Sequence, residues 1–292
     1  MNIASFHDPV TGTWTHVLAD PEHGVAAIID PVLDYDPVSG CTGLDSVQRA
    51  LAQADDWKCA VKLVLDTHAH ADHLSAADWL RSERGAQIVM GRGIRAVQRN
   101  FKRIFNLEDL ETDGRQFDRL VAEGDVVELG SLRIHVLETP GHTDDSISYR
   151  VGDAAFVGDT LFAPGFGTAR CDFPGGDAGM LFDSIQKLYA MPPQTRLFLC
   201  HDYPGDGQEP TPMVTVTDSM ANNKHVNQGT EREAFIQMRE ARDATLSLPR
   251  LIYPAVQVNI RAGAAPPPET NGARYLKIPL DTSIEALLGD QD

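Results

Sequence analysis

The sequence feature that most constrains this chain is a cluster of three histidines and one aspartate within six residues: His68, His70, Asp72 and His73. The cluster directly follows an apolar segment, residues 61–65, that has the composition of a buried strand. Neutral imidazole and carboxylate groups are good ligands for zinc and iron. A polar loop rich in histidine is the bland alternative. The position at a strand end favours a metal site.

Further potential ligands follow later strands in the same way. His142 lies in Thr-Pro-Gly-His-Thr after a predicted hairpin, and Asp159 follows the apolar residues 154–157. His201 comes directly after the predicted strand 196–200. A rigid scaffold commonly carries its chemistry on the loops at strand ends. The pattern therefore predicts one functional rim that collects side chains from several strands.

Length and composition indicate a globular protein. The chain has 292 residues, of which 42% are hydrophobic and 23% are charged, so it has ample material for a core. The formal net charge of −17 argues against nucleic acid or an anionic membrane surface as a general partner. Local Arg and Lys side chains can still serve an anionic small substrate.

The cysteines and the N-terminus favour a cytoplasmic protein. Cys41, Cys59, Cys171 and Cys200 are widely spaced, which predicts neither a disulfide framework nor a cysteine zinc site. The segment Met1–Phe6 lacks the pattern of a secretory leader, and no apolar run approaches the roughly 20 residues that span a bilayer.

The order of predicted elements divides the chain into two regions. Residues 1–205 alternate strand pairs with helices, and we expect them to form the catalytic domain. Residues 206–292 are expected to form a C-terminal cap that packs on the same domain and contributes to the substrate pocket. The cap is predicted to contain helices over 211–223 and 230–246, an extended segment over 256–260 and a last strand over 275–278.

The ligand pattern resembles that of the metallo-β-lactamase superfamily, which has HxHxDH, a distant His, a bridging Asp and a last His. This resemblance implies an αββα sandwich with the metal at one edge, between the two sheets. The fold alone does not fix the reaction. Members with two zinc ions, such as the thioester hydrolase glyoxalase II, would bind one metal with His68, His70 and His142 and the other with Asp72, His73 and His201, with Asp159 as the bridge.

Finer motifs are similar to the bacterial persulfide dioxygenases, also called sulfur dioxygenases. The motifs are THAHADH, TPGHT, VGDTLF, GTARCDF and LCHDYPG, with LPRLIYPAVQVNIRAG and NGARYLKIP in the tail. This resemblance implies one Fe(II) per chain, bound by His68, His142 and Asp159. It implies that the remaining polar residues hold water and orient the ligands by hydrogen bonds; these are His70, Asp72, His73, His201 and Asp202.

The dioxygenase resemblance implies oxidation of glutathione persulfide by O2 to sulfite and glutathione. By the same resemblance, the Tyr203 hydroxyl should reach the metal site, and Arg170 should lie on a loop near it. Packing at a strand end is the alternative for Tyr203, and a structural ion pair with Asp172 is the alternative for Arg170. The sequence indicates no basic partner for Cys171 that would lower its thiol pKa, so a catalytic thiol is not favoured.

Glutathione carries two carboxylates, so its site should contain Arg or Lys. The candidates are Lys224, Arg250 and Arg261, although each could equally be a solvated surface cation. A binuclear zinc hydrolase of glutathione thioesters is the alternative function, and a noncatalytic metal-binding scaffold is a third. An exposed apolar face on the cap would favour a homodimer.

Overall fold

Two six-stranded sheets face each other in the protein, and helices cover both outer surfaces. The computed structural model describes residues 1–205 and 207–288, without the side chain of Glu285. The first sheet has the strand order β1-β2-β3-β6-β8-β9 and the second β10-β11-β12-β13-β14-β15. The first half of the chain contains, in order, β1 (Asn2–Asp8), β2 (Thr13–Asp20), β3 (Val25–Ile29), β4 (Val32–Asp36), β5 (Cys41–Gly43), α1 (Asp45–Asp56), β6 (Ala60–Leu65), β7 (Leu74–Ser75), α2 (Ala77–Arg84), β8 (Gln87–Gly91), α3 (Ile94–Phe105) and β9 (Arg119–Val121).

The second half repeats the plan of strands followed by covering helices. It contains β10 (Val126–Leu129), β11 (Leu132–Glu138), β12 (Ile147–Val151), β13 (Ala154–Phe156), a short 3₁₀ helix (Gly158–Thr160), α4 (Ala178–Tyr189), β14 (Arg196–Phe198), β15 (Met213–Thr215), α5 (Val216–Asn222), α6 (Arg232–Asp243), α7 (Ile252–Asn259) and α8 (Ile284–Leu288). The strands β4, β5 and β7 form a separate small sheet.

Most buried apolar residues of the described chain lie in three layers that correspond to this architecture, and a small separate cluster surrounds Leu74. Leu18, Ile29 and Leu65 from the first sheet pack against Ile134 and Tyr149 from the second, so one core fills the space between the sheets. A second core lies between the first sheet and helices α1, α2, α3 and α7. A third lies between the second sheet and helices α4 and α6. The predicted αββα sandwich is thus confirmed.

Helix formation follows ordinary local rules. In α1 the buried apolar residues are Val47, Ala50, Leu51 and Ala54, which recur at the spacing of one helical face. The Asp177 side chain caps α4 by accepting a hydrogen bond from the amide of Met180. Predicted helices and strands in residues 1–200 match observed elements to within a few residues.

Three predictions in the C-terminal region were wrong. The segment 256–260 belongs to helix α7 and is not extended. Met213–Thr215 forms the edge strand β15 beside β14, so helix α5 starts only at Val216. Residues 275–278 form no strand; instead, the side-chain amide of Gln257 donates to the Lys277 carbonyl and accepts from the Lys277 amide.

The C-terminal elements pack on the sandwich. Helix α6 lies on α4, α7 contacts β7 and α3, and α8 contacts α3. All four cysteines are free. In the described part of the chain, no helix combines the length and the apolar composition that crossing a membrane requires.

Candidate metal centre

The polar strand ends of the two sheets meet at one edge of the sandwich. The loop after β6 carries His68, His70, Asp72 and His73, while His142, Asp159 and His201 come from loops of the second sheet. The sheets are joined there because the Trp14 amide donates to the Cys200 carbonyl (2.7 Å) and the Asp202 amide donates to the Gly12 carbonyl (2.9 Å). The structure therefore brings together all seven residues that the sequence pattern singled out.

His68, His142 and Asp159 form a buried triangle. Asp159 Oδ2 lies 3.9 Å from His68 Nε2 and 3.6 Å from His142 Nε2. These separations are too long for hydrogen bonds. Two ligands at about 2.1 Å from one metal ion would be about 3.0–3.5 Å apart, so a small contraction would close the triangle around an ion. The ligand atoms of the three residues lie within 4.8 Å of one another.

Hydrogen bonds fix the tautomers of the two imidazoles. His142 Nδ1 donates to the Arg170 carbonyl (2.7 Å). Thr67 Oγ1 lies 3.0 Å from both Asp30 Oδ2 and His68 Nδ1, so it donates to the carboxylate and accepts from the imidazole. Each ring therefore presents an unprotonated Nε2 toward Asp159. Burial and the neighbouring His70 lower the pKa of His68 well below its usual value, which keeps the ring neutral.

Several buried polar atoms at this edge have no hydrogen-bond partner. They are His68 Nε2, His70 Nδ1, His73 Nε2, Asp159 Oδ1 and His201 Nε2. Buried polar groups are rarely left unpaired, because each unsatisfied group costs about 1–3 kcal/mol. Unpaired imidazole nitrogens that converge with a carboxylate are the expected arrangement of metal ligands. The residues present thus fit a bound transition metal.

His70 is held from behind by Asp30. His70 Nε2 donates to Asp30 Oδ1 (3.0 Å), which leaves Nδ1 facing the site. The Asp30 carboxylate also accepts from the Thr67 amide at 2.7 Å and from the Cys200 thiol at 3.7 Å. Burial, followed by the positive field of His73, lowers the pKa of His70 well below its usual value. Asp30 thus orients two neighbours of the metal centre.

A second group lies beside the triangle. His201 Nε2 is 3.3 Å from both Asp72 Oδ2 and Asp159 Oδ1. Thr13 Oγ1 lies 3.2 Å from Asp72 Oδ2 and 3.3 Å from His73 Nδ1. Asp72, His73 and His201 are the residues that would bind a second metal in a binuclear site.

Two glycines make the close approach of these loops feasible. Gly158 has φ = +53°, and a Cβ atom there would lie 2.8 Å from Thr67 Oγ1. Gly141 precedes His142, and its Cβ would lie 2.2 Å from the Leu181 amide nitrogen. Only glycine combines such backbone angles with this lack of space. The glycines therefore let Asp159 and His142 reach the loop of His68.

A cavity of about 300 Å³ opens onto the metal centre. Asp72, His142, Asp159 and His201 lie at one end of it. The aromatic residues of its wall are Phe162, Phe166, Phe173 and Tyr203, and the basic ones are Arg170, His225, Arg239 and Arg242. Apolar walls with a few polar groups are typical of small-molecule sites. Arg170 and Arg239 are paired with Asp172 and Asp243, and burial lowers the pKa of His225 to about 4. Arg242 is therefore the cation of this lining that has no carboxylate within 4 Å among the described residues.

Tyr203 lines this cavity next to His201. Its ring stacks on the His201 ring with centroids 5.9 Å apart and planes at 3°. Partial burial and then the carboxylates of Asp72 and Asp159 raise the pKa of Tyr203, so the hydroxyl remains a proton donor at neutral pH. Gly12 makes room for the ring, since a Cβ there would lie 2.4 Å from a ring carbon.

Arg170 contacts the centre through its backbone. Its carbonyl accepts from His142, whereas its guanidinium forms a two-fold ion pair with Asp172, both distances being 2.6 Å. The guanidinium also donates to the Ser247 carbonyl at 2.7 Å. The ion pair with Asp172 is therefore present, and the side chain still lines the cavity. Burial, followed by the charge of Asp243, raises the pKa of the adjacent Cys171 thiol far above its usual value, so the thiol is neutral.

The other predicted residues lie in different places. Lys224 does not line the cavity, but its Nζ lies 5.8 Å from the ring centroid of Phe166, a residue of the cavity wall. Arg250 lines a neighbouring cavity that shares Asp72 and Tyr203 with the first. Arg261 pairs with Asp109 at 2.9 Å, and the residues that line the metal-site cavity do not include it. Asp202 accepts from the amides of Tyr203 (3.0 Å) and Thr211 (2.6 Å), and so shapes the loop after His201.

Sequence reasoning missed several residues that support the centre. Asp30 follows the apolar strand β3, and this strand-end position is the signal that marked the other ligands. Asn259 donates to the carbonyls of both His70 and His73 at 2.8 Å from helix α7. Arg242 faces the cavity from α6. Asn259 lies within the tail motif LPRLIYPAVQVNIRAG, which does not indicate which of its residues contacts the metal loop, and Arg242 lies in none of the quoted motifs.

Comparison with known proteins places these observations in a family. The model of the metallo-beta-lactamase superfamily matches residues 22–201. A probable metallo-hydrolase of Burkholderia pseudomallei is 48% identical over 96% of this chain and 99% of its own length. Glyoxylase B2 of Dictyostelium discoideum is 40% identical over 96% and 97%, and the human mitochondrial persulfide dioxygenase ETHE1 is 28% identical over 89% and 88%.

A solved structure agrees with this assignment. The crystal structure of ETHE1 from Myxococcus xanthus superposes with a TM-score of 0.73 and 32% identity, and the match covers 90% of this chain and all of that one. The matched family model spans more than half of the chain and includes every residue of the candidate metal centre. The chain belongs to the metallo-beta-lactamase superfamily.

Proposed function

We propose that this protein is a non-haem iron(II) persulfide dioxygenase that oxidises glutathione persulfide with O2 to sulfite and glutathione. The observation that carries the proposal is the buried triangle of His68, His142 and Asp159. Two imidazoles and one carboxylate on one face of a ferrous ion leave coordination positions open, and iron bound there would supply redox chemistry with O2. Zinc would not, because it does not change its oxidation state.

The overall reaction balances without a further reductant. Glutathione persulfide, O2 and water give glutathione and sulfurous acid, which ionises to sulfite. The S–S bond breaks, and the terminal sulfur loses four electrons, which O2 accepts. Tyr203 lines the cavity with its ring stacked on His201, and we propose that its hydroxyl donates a hydrogen bond to the reacting groups.

Two cations at or beside the cavity support an anionic thiol compound as substrate. Arg242 lines the cavity and Lys224 lies over the wall residue Phe166, and within the described residues neither has a carboxylate within 4 Å. Unpaired cations of this kind can bind the carboxylates of glutathione through charge-assisted hydrogen bonds. We propose Arg242 and Lys224 for this role, while Arg250 and Arg261 remain predictions from the sequence.

The relatives support both oxidation and hydrolysis. The persulfide dioxygenases match across most of the chain, at lower identity than the proteins named metallo-hydrolase and glyoxylase. A binuclear hydrolase of glutathione thioesters, with two zinc ions, is therefore the second candidate. The observation that favours it is the set of unpaired nitrogens outside the triangle, on His70, His73 and His201, beside Asp72.

One preparation distinguishes the two candidates. The purified protein is analysed for metal, and its O2 uptake with glutathione persulfide is compared with its hydrolysis of S-lactoylglutathione. The dioxygenase predicts about one iron per chain and O2 uptake. About two zinc ions with thioester hydrolysis, and no O2 uptake by the iron-loaded protein, would refute it. Absence of any bound metal would support a noncatalytic scaffold.

Two substitutions test which residues bind the metal. Asp159→Ala removes a corner of the triangle, so iron affinity should fall by more than about 100-fold, beyond the roughly 10–100-fold that loss of an outer partner costs. His73→Ala should leave most of the iron bound. The exposed Asp153→Ala and His135→Ala are matched controls. Equal loss of iron in Asp159→Ala and His73→Ala would indicate the two-metal arrangement.

We also propose that residues 1–205 form the catalytic domain and that residues 206–292 form a cap on it. Support comes from Arg242 of α6, which lines the cavity, and from Asn259 of α7, which binds the metal loop. Four free cysteines are consistent with a cytoplasmic protein. The exposed Ile278 and Leu280 of the cap favour a homodimer, which sedimentation of the purified protein would test.

A further inference from the structure

A buried ion pair on helix α6 contacts the loop that supports His142. Arg239 and Asp243 are 1% and 4% exposed. Arg239 Nε and Nη2 donate to Asp243 Oδ1 at 3.0 and 2.6 Å. Removing two charges from water is costly, and an apolar pair of similar volume would often be as stable. Stability is therefore a weak reason for this ion pair, and its remaining contacts indicate a more specific role.

The remaining contacts are hydrogen bonds to the loop of residues 168–171, on both sides of Arg170. Arg239 Nη1 donates to the carbonyl of Thr168 at 3.3 Å, and Asp243 Oδ2 accepts from the amide of Cys171 at 2.8 Å. Only Ala169 and Arg170 lie between these two points. The orientation of the Arg170 carbonyl is thus fixed from helix α6.

The Arg170 carbonyl is the acceptor for His142 Nδ1. This hydrogen bond decides which ring nitrogen carries the proton and in which direction Nε2 points. A contiguous chain of contacts therefore runs from the Arg239–Asp243 pair, through residues 168–171, to the nitrogen that faces Asp159.

We propose that Arg239 and Asp243 are positioning residues for the metal ligand His142. They set the tautomer and direction of its imidazole through the Arg170 carbonyl and do not touch substrate or metal for this purpose. The inference rests on the part of the proposed function that makes His142 a metal ligand. It holds for the mononuclear and the binuclear arrangement alike.

Asp243→Asn is the most informative substitution. The amide oxygen can keep the contact with Arg239, but the amide NH2 then faces the Cys171 amide and cannot accept its hydrogen bond. The substitution therefore removes the hydrogen bond to the Cys171 amide and leaves the side-chain volume nearly unchanged. The matched control is Asp183→Asn, which breaks the exposed ion pair of Asp183 with Arg232 between α4 and α6. It changes the docking of the same helix without touching the loop.

The measurement is metal binding. Fe(II) and Co(II) affinities are obtained by competition with a chelator, and the visible spectrum of the Co(II)-loaded protein reports the ligand geometry. Asp243→Asn should lower both affinities about 10- to 100-fold and change the Co(II) spectrum. Asp183→Asn should leave affinity and spectrum unchanged, even where both variants lower the melting temperature.

Arg239→Lys provides a second test in case Asp243→Asn folds poorly. A lysine at this position keeps the charge opposite Asp243, and the Cys171 contact survives, so metal affinity should fall less than in Asp243→Asn. Wild-type affinity and spectrum in Asp243→Asn would overturn the inference, as would an equal loss in Asp183→Asn. Failure of the wild-type chain to bind any metal would instead refute the proposed function.

Discussion

Acid should lower the free energy of unfolding of this protein through the protonation of one buried histidine. His16 on β2 is 1% exposed and lies between the sheets. Its Nε2 donates to the Leu199 carbonyl (2.9 Å), so its Nδ1 accepts from Ser5 Oγ (2.8 Å). The neutral ring is fully satisfied in this way. Burial lowers its pKa from 6.5 to about 4.

The size and sign of the effect follow from this shift. Between pH 6.5 and about 4 the unfolded chain binds a proton at His16 that the folded chain does not bind. The contribution of neutral His16 to the free energy of unfolding is therefore fully present above pH 6.5. It decreases by about 1.4 kcal/mol for each pH unit below that value. The total loss is about 3 kcal/mol near pH 4, below which the folded form also takes up the proton.

The assay compares wild type with His16→Gln by urea unfolding from pH 7.5 to pH 4, with the metal removed by a chelator. Gln keeps an N–H donor for Leu199 and does not titrate. The difference in unfolding free energy between the two proteins should change by about 3 kcal/mol over this range. The exposed His135→Gln is the control and should give a flat difference. A difference that stays constant within about 0.5 kcal/mol for His16→Gln would refute the reasoning.

Two further predictions concern the cavity. In Gly12→Ala the new Cβ would lie where the Tyr203 ring lies, on a backbone with φ = +74°. Turnover should therefore fall about 10- to 100-fold, while metal content, measured by atomic absorption, stays at the wild-type level. Loss of metal together with turnover would show that Gly12 matters for the fold instead. Arg242→Ala removes a cation from the cavity wall and should raise KM about 10- to 100-fold with little change in kcat, as expected when a charged hydrogen bond worth about 1.5–3 kcal/mol is lost. The exposed Arg133→Ala is the control for steady-state kinetics, and an unchanged KM in Arg242→Ala would exclude a role in substrate binding.

The residues of the candidate metal centre were largely predictable because each of them follows an apolar strand. Their side-chain chemistry and their position at a strand end identify these residues in the sequence, namely His68, His142, Asp159 and His201. Strand ends of packed sheets meet at an edge, so local patterns were enough to collect residues that are far apart in the chain. Asn259 and Asp243 act through backbone contacts made only in the folded state, and no sequence pattern marks such contacts.

The error at residues 256–260 has a specific physical cause. Val256 and Ile260 pack into the core beneath the first sheet, whereas Ala255 and Val258 pack against Leu74 in a separate cluster. Helix α7 is therefore apolar on two sides, and the usual periodicity of a surface helix disappears. Residues 256–260 read Val-Gln-Val-Asn-Ile, and this alternation of apolar and polar residues is typical of a half-buried strand. Tertiary burial on both sides decided the outcome.

The contacts of Asn259 also constrain when the metal site can be assembled during synthesis. Its side chain donates to the carbonyls of His70 and His73 and accepts from the amide of Ser75, so it satisfies the backbone of the metal loop from a point 184 residues later in the chain. A nascent chain that has not released helix α7 from the ribosome lacks these bonds. Metal binding should therefore require that helix α7 has left the ribosome. Measuring metal uptake by ribosome-bound chains of increasing length would show at which chain length binding begins.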